Sequence, residues 1–189
     1  MVMEGIKVND LKIKQGRPQD IDEISALYDT VTEYLESHTN YPGWRKGIYP
    51  ARIHGEQGIK AGTLYAAWLD GEVAGSIILN QDQENGYDSV TWKTEAEPDE
   101  VTVIHTLLVH PDYLKAGIGK ALLEFAERKA GEEGKKTLRL DVYENNAPAI
   151  RLYEQAGYEY AGTVDLGYGD IGLDWFKLYE KPLKGKEWL

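Results

Sequence analysis

Apolar residues recur at helical spacing early in the chain: Ile21, Ile24, Tyr28, Val31 and Leu35 stand three or four places apart or multiples of them. This pattern predicts a helix over about Ile21–Glu36 with one buried face, while Asp22, Glu23, Asp29 and Glu33 fall on the polar face. Asp20 precedes it and Glu23 follows three places on, the spacing of a capping box. Ahead of it Leu11 and Ile13 alternate with Lys12 and Lys14, which predicts a first strand ending at Gly16. Residues 50–57 read as a short helix closed by Gly58. Thr63–Leu69 and Glu72–Leu79 are strand-like, and Asp70 and Gly71 between them form the dipeptide of a two-residue hairpin.

In the second half strands and helices alternate. Val101–Val109 reads as a central strand, followed by a helix to about Ala130 that Gly131 and Gly134 end. Thr137–Val142 predicts a strand, Ala147–Gln155 a helix ended by Gly157, Tyr158–Val164 a strand, and Trp175–Glu180 a last strand. Strand, helix, strand implies parallel neighbours joined by a helical crossover, so the expected class is α/β with a mixed sheet. Two stretches break the pattern. Ser37–Pro50 is rich in turn residues yet holds Tyr41, Trp44 and Tyr49, aromatics that either fold back on the core or line an acceptor site. Asn80–Glu100 is polar and acidic, interrupted by Tyr87 and Trp92, and is expected to be an exposed excursion, either a flap or a strand extension.

The junction from Val101 to Leu123, VTVIHTLLVHPDYLKAGIGKALL, carries the chemistry. Pro111 and Asp112 stop the strand, and Gly117 and Gly119 sit where the helix begins. A helix start offers unpaired N–H groups and the positive end of the dipole, and glycine lets an anion approach that backbone, so a phosphate is the expected ligand. A dinucleotide fingerprint is excluded because Leu122 stands where a small residue is needed and Pro111 separates the glycines from the strand. A P-loop is excluded because Lys120 is followed by Ala121 rather than Ser or Thr. Taken alone, G-x-G at a helix start fits an ordinary tight turn equally well.

The partner of this loop begins at Asn145: Asn146, Ala149, Leu152, Tyr153, Glu154, Gly157 and Tyr158 spell N-x-x-A-x-x-L-Y-E-x-x-G-Y. A strand followed by V-H-P, a G-x-G loop opening a helix, a further strand and this motif resembles the GCN5-related N-acetyltransferase (GNAT) family over about Val101–Gly162. The resemblance implies the acyl-CoA N-acyltransferase fold: a mixed, mostly antiparallel central sheet of about six or seven strands, a splayed parallel pair in the middle and helices on both faces. It implies one domain over 1–189, with the cofactor half at about 101–162 and acceptor-side loops at about 36–50 and 80–100. It further implies acetyl-coenzyme A as donor and, as in many relatives, a homodimer.

Size agrees with one domain, since 189 residues with 42% hydrophobic content can bury one core. No run approaches the ~20 apolar residues of a membrane span, and the first residues show no signal-peptide pattern, so a cytoplasmic protein that binds no membrane is expected. Zero cysteines exclude an acyl-cysteine intermediate and thiolate metal sites, so acyl transfer should be direct and metal-free. With 32 acidic against 21 basic residues, net −11, the chain is a poor partner for nucleic acid and a better one for a cationic small-molecule amine. The same acidity also serves solubility.

On the family's pattern the backbone of Lys115, Ala116, Gly117, Ile118, Gly119 and Lys120 would hold the pyrophosphate, with Lys115 or Lys120 adding charge. Leu107, Leu108 and Val109 would line the pantetheine arm, and a main-chain amide there would face the oxyanion. Leu114 departs from the family, which usually has Gln or Arg there. Asn146 matches the asparagine that bonds the pantetheine, a role compatible with capping the next helix. Tyr153 matches the tyrosine that protonates the departing thiolate; a phenol of pKa ~10 stays protonated at neutral pH. Tyr153 could also be a core aromatic. An amine of pKa ~10 arrives protonated and needs a base. His105, two places before Leu107 and so on the same strand face, is one candidate, and Asp141, five before Asn146 where some relatives carry a glutamate base, is another. Asp141 could instead pair with Arg139 or Lys135, and Glu33 and His38 are remoter options. Two further readings stay open: a module that binds acyl-CoA without catalysis, and an enzyme with a longer acyl donor.

Overall fold

The computed structural model describes residues 10–184. Seven strands form one sheet: β1 (Lys12–Gln15), β2 (Leu64–Leu69), β3 (Glu72–Asn80), β4 (Val101–Val109), β5 (Thr137–Tyr143), β6 (Glu159–Val164) and β7 (Phe176–Pro182), in the order β1-β2-β3-β4-β5-β7-β6. The helices are α1 (Ile21–Ser37), α2 (Arg52–Ala61), α3 (Ile118–Glu132) and α4 (Ala147–Gln155). Antiparallel pairing dominates, and β4 with β5 is the parallel pair. The α/β class and the mixed sheet are as expected. The crossover through α4 does not make neighbours: β7 inserts between β5 and β6 and pairs antiparallel with both. The signal-peptide reading and the outermost parts of the expected domain lie partly outside the described residues, among which no helix is long and apolar enough to cross a membrane.

The chain clusters into two compact units, and the division passes within β4 and within α3. The first unit holds α1, α2, β1, β2, most of β3, Thr106–Val109 and the start of α3. Its core is Ile24, Leu27, Tyr28 and Val31 of α1 against Leu64, Ala66, Val73, Ile78 and Leu108. Asp20 does not cap α1 with its side chain; its carboxylate accepts from the backbone and guanidinium of Arg17 instead, at 2.9 to 3.1 Å. The hairpin between β2 and β3 turns on Asp70 and Gly71, both at positive φ, as the dipeptide requires. Gly58 does not end α2. It lies inside the helix where a Cβ would come 3.0 Å from Leu64 Cβ, so its lack of a side chain allows close packing, and left-handed Gly62 ends the helix.

The second unit holds the remainder of β4, most of α3, β5, α4, β6, β7 and the segment 81–100. That segment is largely exposed, as expected, but instead of extending a strand it forms two short 3-10 turns and buries Tyr87 to 2% exposure. Tyr87, Val101, Val103, Val164 and Leu178 make a core, with Trp92 packed on it. Gly131 is helical and α3 runs to Glu132, after which Gly134 takes positive φ.

Candidate active site

In the first unit β4 gives way to the 3-10 turn Pro111–Tyr113 and then to α3, whose first residue is Ile118. Gly117 has φ +88° and nothing within 4 Å of where a Cβ would stand, so its outer side is open. Exposed Lys115 also takes positive φ, at 64°. The N–H of Ala116 is spent on the Tyr113 carbonyl at 3.1 Å, and that of Ala121 on Gly117 at 3.0 Å. The start of the first turn, Gly117 to Gly119, is therefore where helix geometry leaves amides for an anion. Ile118 is buried and anchors the turn; Leu114, 47% exposed, directs no polar group at it.

Upstream, Leu108 is buried while Leu107 and Val109 are only partly so, the alternation of a strand with one side packed. Within β4, Thr106 departs from strand geometry: a β-branched residue at φ +47°, an uncommon left-handed conformation, with its hydroxyl 2.5 Å from the Tyr49 hydroxyl. Tyr49 also stacks edge-on with Trp44 and His54. Trp44 packs against the core of this unit, whereas Tyr41 belongs to the other unit and is 40% exposed. The structure thus gathers two of the three loop aromatics expected on the acceptor side.

The second unit brings together the titratable groups. The parallel ladder runs from Val101 opposite Thr137 to Ile104 opposite Leu140, and His105 and Asp141 follow it. His105 Nε2 lies 3.1 Å from the Asp82 carbonyl, which can only accept, so Nε2 carries the hydrogen and Nδ1 the lone pair. Burial lowers the His105 pKa, leaving a neutral imidazole at neutral pH. Asp141 accepts from the Tyr87 hydroxyl at 2.8 Å; burial raises its pKa and the Tyr87 bond opposes the rise. Burial, then the Asp141 charge, raises Glu84 as well. A cavity of about 500 Å³ is lined by Gln83, Glu84, Tyr87, Trp92 and Arg139 among others.

Arg139 is not the partner of Asp141. It lies 3.7 Å from Glu180, donates to Gln83 and the Thr94 carbonyl, and stacks 4.2 Å over Trp92. Lys135 donates to the Asp99 carbonyl. Among the remoter bases, Glu33 pairs with Lys46, and His38 bonds the Tyr34 carbonyl and stacks on that ring. Asn146 caps α4, its side chain accepting from Ala149 N–H at 3.4 Å. Tyr153 is 7% exposed on α4, edge-on to Tyr158. The sequence reading missed Tyr87 and Glu84 as parts of a site, although a lone tyrosine and tryptophan in an acidic stretch were the available signal.

A model of the acetyltransferase (GNAT) family matches residues 24–158. The [Ribosomal protein bS18]-alanine N-acetyltransferase of Escherichia coli K12 is 36% identical over 63% of this chain and 79% of its own length. The UPF0157 protein YqkA of Bacillus subtilis is 28% identical over 89% of this chain, which spans only 37% of that relative. Among solved structures, yncA from Salmonella typhimurium, described as a putative acetyltransferase with its cofactor acetyl-CoA, superposes with a TM-score of 0.67 at 16% identity, covering 93% of this chain and 95% of its own.

Proposed function

Since the chain belongs to the GNAT acetyltransferase family, we propose that it transfers an acetyl group from acetyl-coenzyme A directly to a primary amine. The observation that carries this reading is the opening of α3: amides left over by helix geometry beside open, left-handed Gly117 suit a diphosphate. The residues present fit the donor. Gly117 to Lys120 would hold its pyrophosphate, and Leu107 to Val109 would run beside its pantetheine. Bound there, the thioester supplies an electrophilic carbonyl carbon. Asp141, or the neutral Nδ1 of His105, takes the amine proton. Tyr153 gives its phenolic proton to the departing sulfur as the C–N bond forms and the C–S bond breaks.

The acceptor we favour is a small cationic amine, because the cavity beside Tyr87 carries Glu84 and lies next to Asp141. The E. coli relative is named for an alanine of a ribosomal protein, so a peptide α-amine is the competing class. A cytoplasmic enzyme follows from this reading, the donor being an intracellular metabolite. The test is release of free coenzyme A thiol across a panel of small amines, polyamines and peptides. Tyr153→Phe is expected to lower kcat by roughly 10²-fold while donor affinity stays within about twofold. Thiol release on no amine, or equal loss of turnover and donor affinity in Tyr153→Phe, counts against the assignment.

A further inference from the structure

We propose that Tyr87, on the segment between β3 and β4, is a positioning residue for the transfer, its hydroxyl holding the Asp141 carboxylate ionised and aimed at the acceptor amine. The inference rests on the transferase reading and adds a residue that neither the motif nor the loop predicted.

Tyr87 is fixed from several sides. It is 2% exposed in the core with Val101, Val103, Val164 and Leu178, its ring is 5.5 Å from that of Trp92, and Trp92 Nε1 donates to its carbonyl at 2.7 Å. A ring so held presents its hydroxyl in one direction, and that hydroxyl meets Asp141 Oδ2 at 2.8 Å. Asp141 in turn stands just past the last rung between β4 and β5.

A buried carboxylate tends to keep its proton and then cannot act as a base. A donated hydrogen bond favours the ionised form. The kind of donor matters too: a guanidinium would ionise Asp141 but make it a poor base, whereas a neutral phenol leaves it basic. Arg139, two residues earlier on the same strand, is taken up by Glu180, Gln83 and Thr94. Other titratable groups around Asp141 are Glu84 on the segment of Tyr87 and Tyr168 in the loop before β7. His105 of β4 and Asp82 act on Glu84, and Tyr153 of α4 acts on Tyr87. Asp141 lies opposite Leu178 on β7, with Lys177 next to it. Glu84 and Asp141 repel each other as charges, and burial also opposes ionisation of Asp141, so the Tyr87 bond, together with a backbone hydrogen bond at Asp141, supports the ionised form.

The experiment is the pH dependence of kcat and kcat/KM for wild type, Tyr87→Phe, Asp141→Asn and the double variant, on whichever amine of the panel turns over. Phe keeps the ring and removes only the oxygen, and melting curves check folding. Tyr87→Phe is expected to lower kcat about tenfold at neutral pH with amine KM within about twofold, and to move the acidic limb upward by about one pH unit. In the Asp141→Asn background the same change should alter kcat by less than about twofold. Carboxyl-carbon NMR titration of Asp141 should show the same upward movement in Tyr87→Phe. An unmoved acidic limb, or equal loss in both backgrounds, overturns the proposal and leaves the transferase reading standing. No turnover by the wild type on any amine overturns both.

Discussion

His105 on β4 and Asp141 on β5 are the first residues beyond the last rung, Ile104 opposite Leu140, of the parallel ladder. Both candidate bases therefore stand where the two strands stop sharing hydrogen bonds. One is a neutral imidazole kept so by burial, the other a carboxyl whose pKa burial raises. The raised carboxyl moves toward the operating pH, as a general base near pH 7 needs, while the lowered imidazole stays in the unprotonated form that can accept a proton.

Asp141 should leave a signature in stability. Its folded-state pKa is raised, so the stability linked to it is fully present below the ordinary carboxyl range and is lost as pH rises through the raised value. Asp141→Asn cannot lose that stability. Melting temperatures of variant and wild type should nearly coincide at about pH 4, and the variant should melt higher at pH 8. A difference independent of pH, or one that shrinks as pH rises, contradicts the assigned environment.

Glu180 organises the segment 81–100 from the far side of the sequence. It is 1% exposed and accepts from Lys93 N–H at 2.8 Å, Thr94 N–H at 3.2 Å and the Thr137 hydroxyl at 3.2 Å, beside Arg139. Glu180→Ala leaves a buried guanidinium and two backbone donors without their acceptor, and should cost about 3–5 kcal/mol. Urea unfolding measures it; a loss under about 1 kcal/mol would show that the pair is not what holds the segment.

Gly117 separates binding from folding. With open space around its missing Cβ, Gly117→Ala meets no clash and carries only the cost of the left-handed backbone, about 1 kcal/mol. A methyl group there intrudes on an approaching anion, so donor affinity should fall about tenfold or more. Thermal melting and a titration with coenzyme A, run on one sample, check the two halves; unchanged affinity would remove Gly117 from the diphosphate site.

Local pattern made much of this molecule legible. The helical spacing of Ile21 to Leu35, the Asp70-Gly71 turn, the span Val101–Val109 and the helix opening near Gly117 are set by neighbours in sequence, and each appears in the fold. Readings failed where a distant residue decides. Gly58 read as a stop because Leu64, which packs where its Cβ would be, is not visible as a neighbour in the pattern. The segment 81–100 is largely exposed, as its acidity suggests, but its anchoring by buried Tyr87 and by Glu180, 87 places from Lys93, could not be read from its neighbours in sequence. Arg139 read as a partner of Asp141 because spacing cannot show that Glu180 on β7 pairs opposite it. The bond from Tyr87 to Asp141 spans 54 places and was beyond any periodicity.

The most direct measurement is calorimetric titration of the purified chain with coenzyme A. Saturable heat with one site per chain is expected, weakened by Gly117→Ala and left within about twofold by Tyr153→Phe. Absence of saturable binding by the wild-type chain, with no shift in its melting temperature at millimolar ligand, would contradict the assignment at its root.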